Sequence, residues 1–240
     1  MDIVQKDIYE EMILKSRSIY ITNNITMENM IEAKLLFDRY RMLSNKAPIH
    51  IYINSPGGEV NAAFMLVNDI VLHDVPVITY NIGEADSAAS FIFISGNTRI
   101  MYPHSSIMMH SVRANPYGTT TNIKQYTSFL HKLDEYIIKF IKTHTLLDDE
   151  TIHDIVVNNK EHYWVGDEAI EYGLADQLYL GTDFVEPICS DRSEFHFAYL
   201  IDEEKESGDN NRANKLREEY YNVSIKRHSK IKKRNTKKDK

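Results

Sequence analysis

The chain has 240 residues, 42% of them hydrophobic, and a formal net charge of −7. That is enough for one well-buried domain plus an appendage, and the lone cysteine, Cys189, excludes an internal disulfide framework and fits a reducing cytosol. The longest apolar run, Ala88–Ser95, is far too short to span a bilayer, and acids interrupt the first turns where a signal peptide needs an apolar core, so a soluble cytoplasmic protein is expected.

Charge is unevenly placed. Residues 225–240 hold nine Lys or Arg against one Asp, so the body is acidic and the tail basic. Contact with nucleic acid is one use for such a tail. A solvated terminus is the preferred reading.

In chain order, residues 4–15 carry apolar positions at Ile8, Met12 and Ile13, a short amphipathic helix. Ser18–Thr22 reads as a strand. Thr26 to Met42 places Met27, Met30, Ile31, Leu35, Leu36 and Tyr40 at helical spacing, with Thr26 or Asn24 as N-cap. Ile49–Ile53 is a strand stopped by Ser55-Pro56-Gly57-Gly58, and Glu59 to His73 is again helical. Val75–Ile82 is a strand closed by Gly83, followed by a turn and an apolar helix. This alternation predicts crossover units over a mostly parallel sheet. Short strands follow at Arg99–Tyr102 and Ser106–Met109. A long helix spans Thr121 to Thr145, with Ile123, Tyr126, Phe129, Leu130, Leu133, Ile137, Phe140 and Ile141 on its apolar side. Smaller elements continue to Leu180. Composition turns polar after Glu186, which divides the chain into a domain over 1–186 and a charged, largely flexible extension over 187–240; within the latter, His196–Ile201 could add a strand.

Three segments suggest chemistry. Gly57-Gly58 follows a strand and opens a helix, where backbone N–H groups can face an anion or a developing oxyanion; a plain strand-to-helix turn is the alternative. Ser87 stands at the sharp start of the next helix, as a hydrolase nucleophile does, or as an ordinary N-cap, a role Asp86 could also fill. His110 ends the Ser106–Met109 strand and could shuttle a proton, although it is one of ten histidines. No HExxH or paired thiolates mark a metal site, and no cofactor is expected.

Taken together, the GG turn, the Gly83-Glu84-Ala85-Asp86-Ser87 helix start, the Ile107-Met108-Met109-His110 strand and Glu168-Ala169-Ile170-Glu171-Tyr172-Gly173-Leu174-Ala175-Asp176 resemble the proteolytic subunit of the Clp protease, from Asp7 to about Leu180. The resemblance implies an α/β crotonase-like fold, with repeated β-β-α-type units, a mostly parallel sheet and a protruding long helix. It also implies serine endopeptidase activity on unfolded polypeptides inside stacked, seven-membered rings, fed by a separate AAA+ Clp-type unfoldase. Residue by residue, Ser87 stands at the nucleophile, His110 at the base, and the N–H groups of Gly57 or Gly58 and of Ala88 at the oxyanion hole. Glu161 stands where the family usually has its third triad member, an Asp, with Asp154 and Asp167 as rivals.

The sequence also departs from the family. Asp86 replaces a small apolar residue, and Ser111–Gly118 lacks the usual Gln-Pro and glycine-rich strand. Only six residues precede Asp7, so a shorter axial gate and weaker docking are expected. Four rival readings follow: a non-catalytic subunit of mixed rings, a viral capsid-maturation protease, an acyl-CoA enzyme of the same fold, and a nucleic-acid-associated protein.

Overall fold

A computed structural model describes residues 13–179 of the chain. Of the expected helix over 4–15, residues 13–16 are described, and they are helical. The boundary near 187, the strand at His196–Ile201 and the charged extension lie outside the described residues.

The order of elements is β1 (Ser18–Ile21), α1 (Met27–Leu43), β2 (Ile49–Ser55), α2 (Val60–Leu72), β3 (Val77–Asp86), α3 (Ala88–Ser95), β4 (Thr98–Met101), β5 (Ser106–Met109), α4 (Thr120–His144), α5 (Asp149–Val156), β6 (His162–Val165), α6 (Glu168–Glu171) and β7 (Gln177–Leu178). The sheet runs β1-β2-β3-β4-β7, every neighbouring pair parallel. Strand β5 joins the far end of β3 in parallel, and β6 adds to β5 antiparallel. This is the mostly parallel α/β sheet expected.

Alternation along β2 explains the layering. Ile49, Ile51 and Ile53 are fully buried under the helices, and His50 and Tyr52 face the other side. There, Tyr20, Tyr52 and Tyr80 are register partners on three strands, stacked 5.0 and 4.4 Å apart.

The helices begin and dock for identifiable reasons. Thr26 caps α1 through a reciprocal pair with Asn29. The buried face of α1 is Met30, Ala33, Phe37 and Tyr40, whereas Met27, Ile31 and Leu35 are exposed, a correction to the expected apolar face. Met30 and Tyr40 of the expected face are buried, and the buried stripe is turned from Met27, Ile31 and Leu35 toward Phe37 and Tyr40, the larger side chains. Helix α4 docks only by its second half. Ile137, Phe140 and Ile141 are buried there, and Phe140 packs edge-on to Phe64 of α2 and Phe91 of α3. Its first half stands away from the body, with Ile123, Tyr126 and Phe129 exposed.

Strand β3 is the main departure from the expected boundaries. It does not stop at Gly83 but continues to Asp86 with a new partner. At that point a Cβ on residue 83 would lie 2.1 Å from Asn54 Oδ1. The glycine therefore admits a close approach and does not end the strand.

One buried ion pair closes the sheet's other edge. Arg99 on β4 binds Asp176 through Nε (3.1 Å) and Nη2 (2.8 Å), and its Nη1 donates to the carbonyls of His144 (2.7 Å) and Gly173 (2.8 Å). Removing the guanidinium would take the ion pair from Asp176, which keeps the Arg99 backbone N–H on Oδ2 (2.8 Å), and a donor from each of two carbonyls. Arg99→Ala is therefore expected to destabilise the fold by about 3 kcal/mol, read as a shift of the urea midpoint. A change within about 0.5 kcal/mol would contradict this account.

Candidate active site

Three parallel strands end on one edge of the sheet, and each delivers one candidate group. Strand β2 leads into Gly57-Gly58, β3 into Ser87 and β5 into His110. The carboxyl edge of a sheet, at a point where strand pairing changes, is where α/β folds place ligands.

Ser87 occupies a sharp elbow, with φ 53° and ψ −121°. This left-handed backbone is strained for a residue with a Cβ. Three hydrogen bonds hold it. Its N–H donates to the Met108 carbonyl (2.8 Å), and its carbonyl accepts from the Ser90 N–H (3.1 Å) and Ser90 hydroxyl (2.6 Å). The Ser87 side chain forms no capping bond to α3, so it is not acting as an N-cap, and its hydroxyl has no hydrogen-bond partner among the described residues.

The glycine turn presses against that elbow. A Cβ on Gly57 would come 2.8 Å from Ser87 Cβ and 3.0 Å from the Ala88 nitrogen, and φ at Gly57 is +93°. A Cβ on Gly58 (φ +146°) would meet the Ile25 carbonyl oxygen at 2.2 Å. Both positions therefore require glycine. The turn is stitched to the preceding loop by Ile25 N–H to the Gly57 carbonyl (2.7 Å) and by the buried Ser55 hydroxyl to the Asn23 carbonyl (2.7 Å). The Gly57 N–H donates to Ser55 Oγ (3.1 Å). Of the two glycines, Gly57 has its N–H occupied, which leaves Gly58 as the candidate donor from this turn, with Ala88 supplying the N–H at the helix start.

His110 lies just past β5, two residues beyond the carbonyl that holds Ser87. Its Nδ1 contacts the Ser111 carbonyl. A carbonyl only accepts, so Nδ1 carries the proton and Nε2 has the free lone pair. Extending the β5–β6 register, in which Met109 pairs with His162, sets Glu161 opposite His110. The Glu161 carboxylate is exposed and engaged elsewhere, with Arg113 Nη2 on Oε1 and the Tyr163 hydroxyl on Oε2 (2.9 Å). Those two bonds hold its carboxyl below the usual range, and His110 adds a smaller pull. Of the rivals, Asp154 is tied to Lys160 and Asn158 at 2.6 and 2.7 Å, and Asp167 precedes α6 without capping it.

Motif reading singled out neither Arg113 nor Tyr163. The two-residue spacing of Glu161 and Tyr163 puts both on one face of an extended chain, and that is a legible signal once β6 is located. Nothing in the local sequence announces Arg113, which lies 48 positions from its partner.

Asp86 is half-buried on the strand leading to the elbow, and its Oδ1 has no hydrogen-bond partner among the described residues. Burial and then the neighbouring Glu84 push its carboxyl from 3.8 up to about 6, against a backbone hydrogen bond from Met108. The folded value exceeds the free one, so the folded chain binds the extra proton across that window and loses stability as pH rises through it. Asp86→Asn should remove this dependence and stabilise the protein at neutral pH by on the order of 1 kcal/mol, a figure reduced for the group's partial exposure. Thermal midpoints measured from about pH 4 to about pH 7 check it; an unchanged pH dependence in Asp86→Asn would refute it.

The family model for Clp protease matches residues 2–181. The chain is 27% identical over 175 residues to the ATP-dependent Clp protease proteolytic subunit 1 of Rhodopirellula baltica, an alignment covering 72% of this chain and 76% of that one. The chain belongs to the Clp protease family, a family of peptidases.

Proposed function

We propose that this chain is a serine endopeptidase with Ser87 as nucleophile and His110 as general base. The observation that carries the proposal is the uncapped hydroxyl of Ser87 at a left-handed elbow, with Gly57 close to its Cβ and its N–H bound to the Met108 carbonyl, two residues before His110.

In this reading, Nε2 of His110 takes the Ser87 proton as Oγ attacks a peptide carbonyl. The developing oxyanion is held by the N–H groups of Gly58 and Ala88. The imidazolium then protonates the leaving amine, and an acyl-enzyme remains on Oγ. Water then gives a proton to His110 as its oxygen attacks the acyl carbon, and the imidazolium returns that proton to Ser87 Oγ as the acid leaves. The chemistry uses no metal or cofactor. Glu161 is the nearest carboxylate by strand register to orient His110, in place of the family's usual Asp.

The substrate is unfolded polypeptide inside an oligomeric chamber, delivered by a separate Clp-type ATPase in the cytosol. Family membership supports this part, as does the similarity to the proteolytic subunit of an ATP-dependent Clp protease. The exposed apolar residues Ile123, Tyr126 and Phe129 on the free half of α4 suit a contact between rings.

Labelling with a fluorophosphonate, mapped by mass spectrometry, tests the nucleophile. The expected adduct is on Ser87, absent in Ser87→Ala, with labelling in His110→Ala slowed by about a thousandfold or more. An unlabelled Ser87 in the assembled protein would overturn the reading and favour a structural subunit.

A further inference from the structure

Two groups that should meet across β5 and β6 are each held by something else. The register Ser106↔Val165 through Met109↔His162 continues to His110 opposite Glu161. Yet Nδ1 of His110 contacts the Ser111 carbonyl. Both oxygens of Glu161 are also occupied, Oε1 by Arg113 (2.5 Å) and Oε2 by Tyr163 (2.9 Å). The segment after His110 is clasped at a second point, where the Ser111 hydroxyl donates to Asn159 Oδ1 (2.6 Å). Residues 111 and 113 are thus pinned side by side to residues 159 and 161, and the clasp decides which donor Glu161 accepts from.

The two competing donors are unequal. Arg113 is a permanent cation on an exposed chain, 67% open to solvent, and Glu161 is 41% open, so their ion pair is weak and exchangeable. The Nδ1–H of His110 would be a weaker claimant at rest, because neutral imidazole carries no charge. It gains once the ring is protonated during catalysis, which is when a carboxylate partner helps most. A carboxylate already neutralised by a guanidinium gives little of that help.

Resting on the reading of Ser87 and His110 as the reacting pair, we propose that Arg113 is a positioning residue that acts through Glu161: it holds that carboxylate off the Nδ1 of His110, and its release hands Glu161 to the histidine and quickens the site. Tyr163 keeps its bond to Oε2 in both arrangements and acts as the pivot. Arg113 and Glu161 are both exposed, so their substitution leaves the core intact.

The test uses the full chain as wild type, Arg113→Gln, Arg113→Lys, Glu161→Gln and the Arg113→Gln/Glu161→Gln double variant. Two quantities are read: the rate of fluorophosphonate labelling at Ser87, and the ring N–H signal of His110 in protein carrying ¹⁵N-histidine. The expected result is labelling about tenfold faster in Arg113→Gln, the equivalent of one charge-assisted hydrogen bond gained, with the N–H signal moved downfield. Arg113→Lys should stay near wild type, and the double variant should fall back to the level of Glu161→Gln.

Labelling no faster in Arg113→Gln with an unmoved signal would overturn the proposal. So would a gain that survives in the Glu161→Gln background, since Arg113 would then act on His110 directly. A downfield signal that needs Glu161, without adduct at Ser87 in any variant, would uphold the competition for Glu161 and overturn Ser87 as nucleophile.

Discussion

Strand β3 changes partner at Gly83, and the site depends on that exchange. Up to Asn81 the strand is flanked by β2 and β4; from Glu84 it pairs with β5. Side-chain amides bridge the gap where the strand ladder breaks. Asn81 Nδ2 donates to the Ser106 carbonyl (2.7 Å), and Asn54 Oδ1 accepts from the Glu84 N–H (3.1 Å). The backbone groups freed by the exchange are thereby kept paired, as a buried chain demands. The exchange also brings the end of β5, and so His110, next to the end of β3, and so Ser87. With β4 still in that place, the strand carrying His110 could not pair beside the end of β3.

Strain at Ser87 is the second dependency. A non-glycine residue at φ 53° costs on the order of 1–3 kcal/mol and persists only where its surroundings over-determine it. Here they do so from three sides: the Met108 carbonyl below, Ser90 on the following turn, and Gly57 pressed against Cβ. The strained φ turns the hydroxyl away from α3, whose first N–H groups a capping serine would otherwise cover. Ser87 makes no side-chain cap on α3, so under the proposed reading one backbone choice would set both the nucleophile and the Ala88 N–H of its oxyanion hole.

Much of this was legible in the sequence, for local reasons. Thr26 followed by Asn29 announces the start of α1, and the alternating isoleucines of Ile49–Ile53 announce a strand buried on one face. Gly57-Gly58, Ser87 and His110 each follow an apolar run that reads as a strand, so their place at strand ends could be anticipated. What escaped the sequence was whatever depends on a distant partner. Gly83 reads as a stop, because its need for glycine comes from Asn54, twenty-nine positions away and on another strand. On α1 the spacing picks out Met30 and Tyr40, which are buried, but equally Met27, Ile31 and Leu35, which are exposed, and it passes over the buried Phe37. The Arg113–Glu161 pair joins two exposed segments of no regular pattern, which periodicity cannot connect.

The central claim is geometric: Ser87 attacks, and Gly58 with Ala88 receives the charge. A crystal structure of the protein treated with a peptidyl boronate tests it most directly, since the tetrahedral boronate imitates the intermediate. The account predicts boron bonded to Ser87 Oγ, with one boronate oxygen about 2.7–3.1 Å from both the Gly58 and Ala88 nitrogens. Boron on another residue, or an oxygen that avoids both N–H groups, would contradict it.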